Sequence, residues 1–162
     1  MSTPSTAELK TLIKNLDQLS VSMGDLLADE QLQLNSSASE ELAKTATKKK
    51  LIVSKLEQAT KVTHKYLLNL NIKNGLYGLS DYIDQLSNET KEPLNDIWLA
   101  TKKHLEHNKQ LNEVNGSIIE LNRRFTQRSL DVLRGQMGAS METYGSDGQS
   151  HKSNLSRNIS IV

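Results

Sequence analysis

The sequence contains no cysteine, two prolines and few aromatic residues. Without cysteine the chain can form neither disulfides nor thiolate metal sites, and it has no cysteine nucleophile. One Trp, one Phe and four Tyr among 162 residues leave a core of Leu, Ile, Val and Ala, and strand and hairpin signals are nearly absent. We therefore expect an all-α fold.

Long apolar runs and an excess of one charge are also missing. No stretch approaches the ~20 consecutive apolar residues of a membrane span, and the N-terminus lacks the basic start and apolar run of a signal peptide. The net charge of +1 provides no basic excess for phosphate contacts. These absences predict a cytoplasmic protein without nucleic acid or membrane insertion.

Catalytic patterns are weak. His104, Glu106 and His107 resemble a metal-binding helix, but the histidines lack the HExxH arrangement. No GxSxG motif or phosphate-binding glycine loop supplies a nucleophile or a cofactor site. We expect no enzyme activity, no metal and no cofactor; the alternative is a helical-bundle enzyme that binds metal through His104 and His107.

Two long periodic segments open the chain. The first runs from about Ser5 to Leu34 with apolar residues three and four apart, the spacing of one helix stripe. Ser37 and Glu40 have the form of a capping box that begins a second helix, which continues to about Leu70 with heptad spacing. The pattern predicts two long helices with a short connection.

Opposite charges favour pairing of these helices. Seven acids and two lysines give residues 8–41 a charge of −5, whereas seven lysines and one glutamate give residues 44–65 a charge of +6. An antiparallel hairpin with complementary flanks is expected. The Lys48 to Lys50 run is also compatible with an anionic-surface patch, although a solvated helix face is the preferred interpretation.

Glycine and proline divide the remaining chain. Gly75 and Gly78 are expected to end the second helix, Ser80 to cap a short helix, and Pro93 to begin a third long helix that ends near Arg134. The prediction is an elongated antiparallel bundle of three long helices with a short connecting helix. Residues 1–137 form the helical domain in this prediction, and residues 138–162 form a flexible C-terminal tail.

The third helix has an unusual seam, because Asn108, Asn112, Asn115 and Asn122 fall at or beside its heptad core positions. A buried amide can fix register or bind a partner's backbone. The alternative is that these amides lie in water at a loosely packed edge.

Helix lengths suggest a surface for a partner. At about 1.5 Å per residue, the third helix spans roughly 60 Å and the second roughly 50 Å, so the last turns of the third should project. Those turns carry Phe125, Leu130, Val132 and Leu133, an apolar face suited to a partner helix. Alternatively, Phe125 packs onto Leu34 and Leu42, or the stripe makes the chain a self-associating coiled-coil adaptor.

The tail contains a short motif from Tyr144 to Gln149. Its Asp147–Gly148 pair favours a turn. A tethered tyrosine followed by an apolar terminus can also serve as a docking peptide.

At these residues the sequence resembles the FlgN family of flagellar type III export chaperones. The resemblance lies in Leu111, Asn112, Glu113, Val114, Asn115, Gly116, Ile118 and Ile119, in Leu130 to Leu133, in Tyr144 to Gln149, and in Ile159, Ser160 and Ile161. Order and spacing agree across the last 50 or so residues, whereas the upstream helices agree in pattern only.

The resemblance implies a function and two sets of contacts. Family members bind the hook-associated proteins FlgK and FlgL and deliver them to the export gate protein FlhA. The implied cargo-binding residues are Asn112, Asn115, Gly116, Ile118, Ile119, Asn122, Phe125, Leu130 and Leu133. The implied gate-docking residues are Tyr144, Gly145, Asp147 and Gly148, and other soluble export components are possible partners.

Overall fold

A computed structural model describes residues 6–134, 143–144 and 150–151 of the chain. The described elements are four α-helices, one 3-10 helix and two short strands. They are α1 (Thr6–Ser36), α2 (Ser39–Asn69), a 3-10 helix (Gly75–Gly78), α3 (Leu79–Asp84), α4 (Asn88–Leu133), β1 (Thr143–Tyr144) and β2 (Ser150–His151). The predicted class, three long helices with a short connecting helix, is confirmed.

The chain divides into two compact units on either side of the bond between Gly116 and Ser117. The first unit contains α1, α2, α3 and the first part of α4, and the second contains the remainder of α4 and both strands. The predicted boundary between residues 137 and 138 lies outside the described residues.

The α1–α2 hairpin is closed by a left-handed residue. Ser37 has φ 56°, and the Ala38 N–H donates to the Gln33 carbonyl at 3.1 Å, which ends α1. Ala38 is the N-cap of α2 and makes no side-chain cap hydrogen bond. The predicted capping box from Ser37 to Glu40 is therefore wrong, because the backbone of Ser37 terminates the preceding helix.

The apolar core lies where the start of α1, the end of α2, α3 and the start of α4 meet. Its buried members are Leu9, Ile13, Leu67, Ile72, Leu79, Ile83, Leu94 and Trp98. The Trp98 Nε1–H donates to the Ser80 hydroxyl at 3.0 Å, so the indole has a polar partner at the edge of the core. This cluster holds α3 against the long helices.

The connections differ from the prediction at two points. The second helix ends at Asn69, because Asn71 takes a left-handed φ of 62° and the Ile72 N–H donates to the Leu67 carbonyl at 2.9 Å. The third long helix begins at Asn88 and includes Pro93. Pro93 follows the start of the helix by five residues, and the loss of its backbone hydrogen bond and the crowding of its ring against the Glu89 carbonyl do not end the helix there.

No helix in the described part of the chain is long and apolar enough to cross a membrane.

Candidate functional site

Two asparagines of α4 bind the backbone of α1. The Asn108 Nδ2 donates to the Ser20 carbonyl at 2.7 Å, and the Asn115 Nδ2 donates to the Leu27 carbonyl at 2.8 Å. Both asparagines are buried, and both steps are seven residues, so α1 and α4 run in the same direction. In these two cases the seam amides set the register between two helices of one chain.

A glycine makes room for one of these contacts. A Cβ atom at Gly24 would lie 2.8 Å from the Asn108 Oδ1, closer than packed atoms allow. Gly24 is four residues after the accepting carbonyl of Ser20 and therefore lies one turn further along the same face. The absent side chain lets the Asn108 amide approach α1.

The second asparagine belongs to a polar cluster that joins three helices. The Glu30 carboxylate accepts from the Asn115 Nδ2 at 2.9 Å and from the Lys49 Nζ at 2.9 Å. Lys49 also donates to the Asn112 Oδ1 at 3.0 Å. The opposite charges of α1 and α2 therefore meet in a partly buried pair, whose Glu30 carboxylate also accepts from α4.

Two of the predicted cargo-binding residues, Asn112 and Asn115, belong to this polar cluster. Asn115 is only 1% exposed, and its Nδ2 is already bonded within the chain. Its Oδ1 is buried without a hydrogen-bond partner. Asn112 is exposed and accepts from Lys49. Contact between Asn115 and cargo would require α1 to move away from this side chain, and a role of Asn115 in cargo binding stays a prediction.

Gly116 follows Asn115 inside α4 and is exposed. A Cβ atom placed there would meet nothing within 4 Å. Glycine costs about 1 kcal/mol relative to alanine in a helix interior. Packing against the described residues does not explain why position 116 holds a glycine.

The two histidines considered for metal binding have different surroundings. The His104 Nδ1 lies 2.8 Å from the Asp17 Oδ1, which adds a further link between α4 and α1, whereas His107 is exposed. Among the described residues no group of His, Asp and Glu side chains could hold a metal ion. The His104 pair is a helix–helix contact.

Residues 117–133 of α4 form an amphipathic helical segment with much of its apolar side uncovered. Phe125 is 73% exposed and Leu133 is 82% exposed. Further exposed apolar side chains are Ile119, Leu121, Leu130 and Val132, and Ile118 is partly buried. We call these seven residues the apolar face of α4. A side chain as exposed as Phe125 is not a core residue.

The opposite side of this segment is charged. Glu120 accepts hydrogen bonds from Arg123 at 2.9 Å and from Arg124 at 2.8 Å. These bonds, first from Arg123 and then from Arg124, lower the pKa of the Glu120 carboxyl from 4.5 to about 2. Gln127 donates to Asp131 at 2.8 Å on the same side. Pairs three and four residues apart support a solvated helix.

The predicted docking motif lies largely outside the described residues. Tyr144 belongs to β1, which pairs antiparallel with β2 so that Tyr144 faces Ser150 and Thr143 faces His151. Gly145, Asp147 and Gly148 lie outside the described residues. The sequence predicted no strand here, and this short pairing is the exception to the helices that make up most of the described residues.

Several residues of these sites were not singled out from the sequence. Leu121 is 64% exposed and precedes Phe125 by four residues, a spacing that could have placed it on the apolar face. Glu30 was counted only in the charge balance of α1, and Lys49 only in that of α2 and in the Lys48 to Lys50 run. No local signal marks them as the pair that meets α4.

Comparison with known proteins gives one result. The family model described as FlgN protein matches residues 1–152, which is nearly the whole chain. No curated protein and no solved structure matches the chain.

Proposed function

The chain belongs to the FlgN family, and on that basis we propose that it is a cytoplasmic chaperone that binds unassembled FlgK and FlgL and delivers them to the export gate protein FlhA. Family membership supports a role in flagellar export as a chaperone rather than as an enzyme. The identity of the cargo, the prevention of premature oligomerisation and the gate contact are the finer parts of the proposal.

The exposed apolar face of α4 is the observation that carries this proposal. An amphipathic helix with an uncovered apolar stripe fits a partner that supplies a complementary helix. The hook-associated proteins FlgK and FlgL are expected to have terminal helices that form coiled coils only after assembly. In this proposal the apolar face covers such a helix until export.

A double substitution tests the cargo contact. Phe125→Ala with Leu133→Ala removes the two most exposed side chains of the apolar face. Truncating one hot-spot side chain to alanine costs about 2 kcal/mol or more, so the loss of even one such anchor should lower the affinity for a terminal segment of FlgK at least roughly 30-fold. Isothermal titration calorimetry would measure this loss.

A matched control uses exposed leucines elsewhere. Leu51 and Leu68 of α2 are exposed, so Leu51→Ala with Leu68→Ala removes similar apolar surface from another helix. Binding should remain within about twofold of the unchanged chain, because these side chains lie outside the apolar face. Equal affinity for all three proteins would refute the apolar face as the cargo site.

The gate contact can be separated from the cargo contact. Tyr144→Ala should leave FlgK affinity intact and weaken binding to the cytoplasmic part of FlhA, with a corresponding loss of FlgK export. His151→Ala, a substitution on the paired strand β2, serves as the control. Normal export by the Tyr144 variant would remove the tyrosine from the proposed docking contact.

Self-association through the same apolar face is the second candidate function. The exposure of Leu121, Phe125 and Val132 favours it as well, since a second copy could cover the stripe. Light scattering of the purified chain distinguishes the two functions. A monomer at micromolar concentration would exclude the structural adaptor, and a dimer abolished by the Phe125 and Leu133 double substitution would support it.

A further inference from the structure

A groove of about 280 Å³ lies between α1 and α2, and all of its lining residues belong to these two helices. Its apolar surface comes from Leu12 and Leu19 of α1 and from Ala59 and Val62 of α2. Val62 is 48% exposed although it lies between apolar neighbours. Neither the cargo contact nor the gate contact of the proposed function involves these residues, so the groove needs an explanation of its own.

The groove lies on the side of α1 that faces away from α4. α1 contacts α4 through Asp17 and beside Gly24, which are seven residues apart and share one side of the helix. Leu19 follows Asp17 by two residues, which places it about 200° around the helix at 3.6 residues per turn. The α1–α2 hairpin therefore has α4 along one side and the groove along the other.

Residues at intervals of seven extend both walls of the groove. On α1, Leu12 and Leu19 are followed by Leu26, and all three are partly buried. On α2, the two residues seven and fourteen positions before Val62 are the exposed lysines Lys55 and Lys48. At about 1.5 Å per residue, the leucine stripe is roughly 20 Å long. A stripe of this length and spacing is suited to the apolar side of another helix.

The two walls differ in charge. No carboxylate of the described residues forms an ion pair with Lys48 or Lys55, whereas Lys49 is paired with Glu30. The line that borders the groove on α1 is uncharged at its centre and acidic at its ends, and it consists of Glu8, Asn15, Ser22 and Asp29. A helix that fills the groove is therefore expected to carry acidic residues on its α2 flank and uncharged or basic residues on its α1 flank.

We propose that the groove between α1 and α2 is a docking site for an amphipathic helix of a partner protein, with acidic residues along the flank that meets Lys48 and Lys55. The apolar side of this helix packs on Leu12, Leu19 and Val62. This inference goes beyond the proposed function and does not depend on it. The groove favours a helix over an anionic membrane, because its leucines lie between two helices and not on a flat surface.

Synthetic helices serve as probes for the full-length chain. The acidic probe has leucine at its heptad core positions, glutamate on one flank and glutamine on the other, and the basic probe has lysine in place of glutamate. Fluorescence anisotropy should show at least roughly 10-fold tighter binding of the acidic probe, because two lysine contacts change from repulsive to attractive. A scrambled acidic probe should bind no more tightly than the basic one. Equal affinity for the acidic probe and either of the others would overturn the proposal.

A pair of matched variants locates the probe. Val62→Glu places a charge in the groove and should weaken binding of the acidic probe at least roughly 10-fold. Leu68→Glu is the control, because Leu68 lies on the same helix outside the groove and is 47% exposed against 48% for Val62. The control should bind within about twofold of the unchanged chain. Equal losses in the two variants would overturn the proposed position.

A charge exchange tests the acidic flank. Lys55→Glu should weaken binding of the acidic probe and strengthen binding of the basic probe, each by roughly fivefold. Lys50→Glu makes the same change of charge at an exposed position of α2 outside the groove and should change neither affinity. Equal effects of the two variants would mean that net charge alone attracts the probe, which would overturn the pairing with Lys55.

Three further results would assign the groove or the probe differently, and each would overturn the proposal. Vesicles of phosphatidylglycerol and phosphatidylcholine that bind the unchanged chain but not the Val62→Glu variant would identify a membrane as the occupant. A dimer in light scattering that Val62→Glu dissociates would identify a second copy. Loss of acidic probe binding in the Phe125 and Leu133 double variant, but not in Val62→Glu, would place the probe on the apolar face of α4.

Discussion

Residues 88–116 of α4 pack their heptad core positions against α1, whereas residues 117–133 of the same helix expose most of their heptad core positions to solvent. In the first part, Asn108 and Asn115 are buried and bonded to α1. In the second part, Asn122 occupies the equivalent heptad position and is exposed, and so is Phe125 three residues later. One repeating pattern thus serves as core in one stretch and as available surface in the other.

The two stretches differ in which groups they bury: the first buries polar groups, and the second exposes apolar groups to water. The buried amides of residues 88–116 need hydrogen-bond partners, and the Ser20 and Leu27 carbonyls and the Glu30 carboxylate accept from them. Residues 117–133 keep their charged groups in water and leave apolar side chains exposed. Exposure of apolar surface to water is unfavourable, and a partner that covered this surface would remove the unfavourable free energy. Substitutions in the first stretch should therefore affect stability, and those in the second should affect binding.

The largest effect on stability is expected at Trp98. Trp98→Ala removes a buried indole and its bond to Ser80, which should lower the free energy of unfolding by about 3–5 kcal/mol. Phe125→Ala, a similar truncation in the exposed stretch, should change it by less than about 0.5 kcal/mol. Urea denaturation followed by circular dichroism measures the free energy of unfolding of both variants. Equal losses of stability would contradict the distinction between a packed and an exposed stretch of α4.

The next effect concerns the same substitution at two heptad positions. Asn115→Ala removes one bond to a carbonyl and one to the Glu30 carboxylate, at an expected cost of about 2–4 kcal/mol. Asn122→Ala should leave stability nearly unchanged, since its amide is exposed. Comparable denaturation midpoints for the two variants would mean that the Asn115 network contributes nothing net.

A smaller effect of opposite sign is expected at Gly116. Gly116→Ala should stabilise the chain by roughly 0.5–1 kcal/mol, because alanine favours a helix and the position has open space. Gly24→Ala is the matched control and should destabilise, since its Cβ would lie 2.8 Å from the Asn108 Oδ1. Thermal unfolding of both variants gives the signs. A loss of stability at Gly116 would show that this glycine is needed in the free chain.

The smallest expected effect is the loss of helix stability when Glu120 is protonated at low pH. The folded pKa of Glu120 lies at about 2, below its ordinary value of 4.5, so its carboxylate stabilises the helix above pH 4.5. That contribution is lost as pH falls from 4.5 through about 2. Magnetic resonance titration of the full chain should show the helical shifts of residues 120–124 weaken in this range.

Glu120→Gln provides the control for the acid titration, because it removes the titrating group while keeping a side chain of similar size. The variant should show weaker helical shifts at neutral pH and little further change between pH 4.5 and 2. A Glu120 midpoint near its ordinary value would contradict the proposed pairing with Arg123 and Arg124.

Much of the fold followed from periodic apolar spacing. The stripes through Leu9, Ile13 and Leu67 predicted α1 and α2, and the charge difference between these helices predicted their hairpin. The details at helix ends did not follow, because Ser37 and Asn71 adopt left-handed conformations that neither residue type requires. Pro93 was misread as a helix start because proline is most favourable at the first position of a helix, whereas here it follows the start of α4 by five residues.

The candidate sites were predictable to different degrees. The apolar residues at the end of α4 were identified from spacing, since amphipathicity is a local property of the chain. The role of Asn115 was left open between packing and recognition, and its bonds to Leu27 and Glu30 now favour packing. Spacing alone could not distinguish Asn115 from Asn122, because both stand at the same heptad position.

The sequence by itself determined that this protein is helical, where its apolar stripes run and which family it belongs to, because these properties depend on local spacing and residue type. Only the tertiary structure decided which asparagines are buried and which are exposed. Burial depends on whether another helix covers the position, and that information resides in distant residues such as Ser20, Gly24 and Leu27.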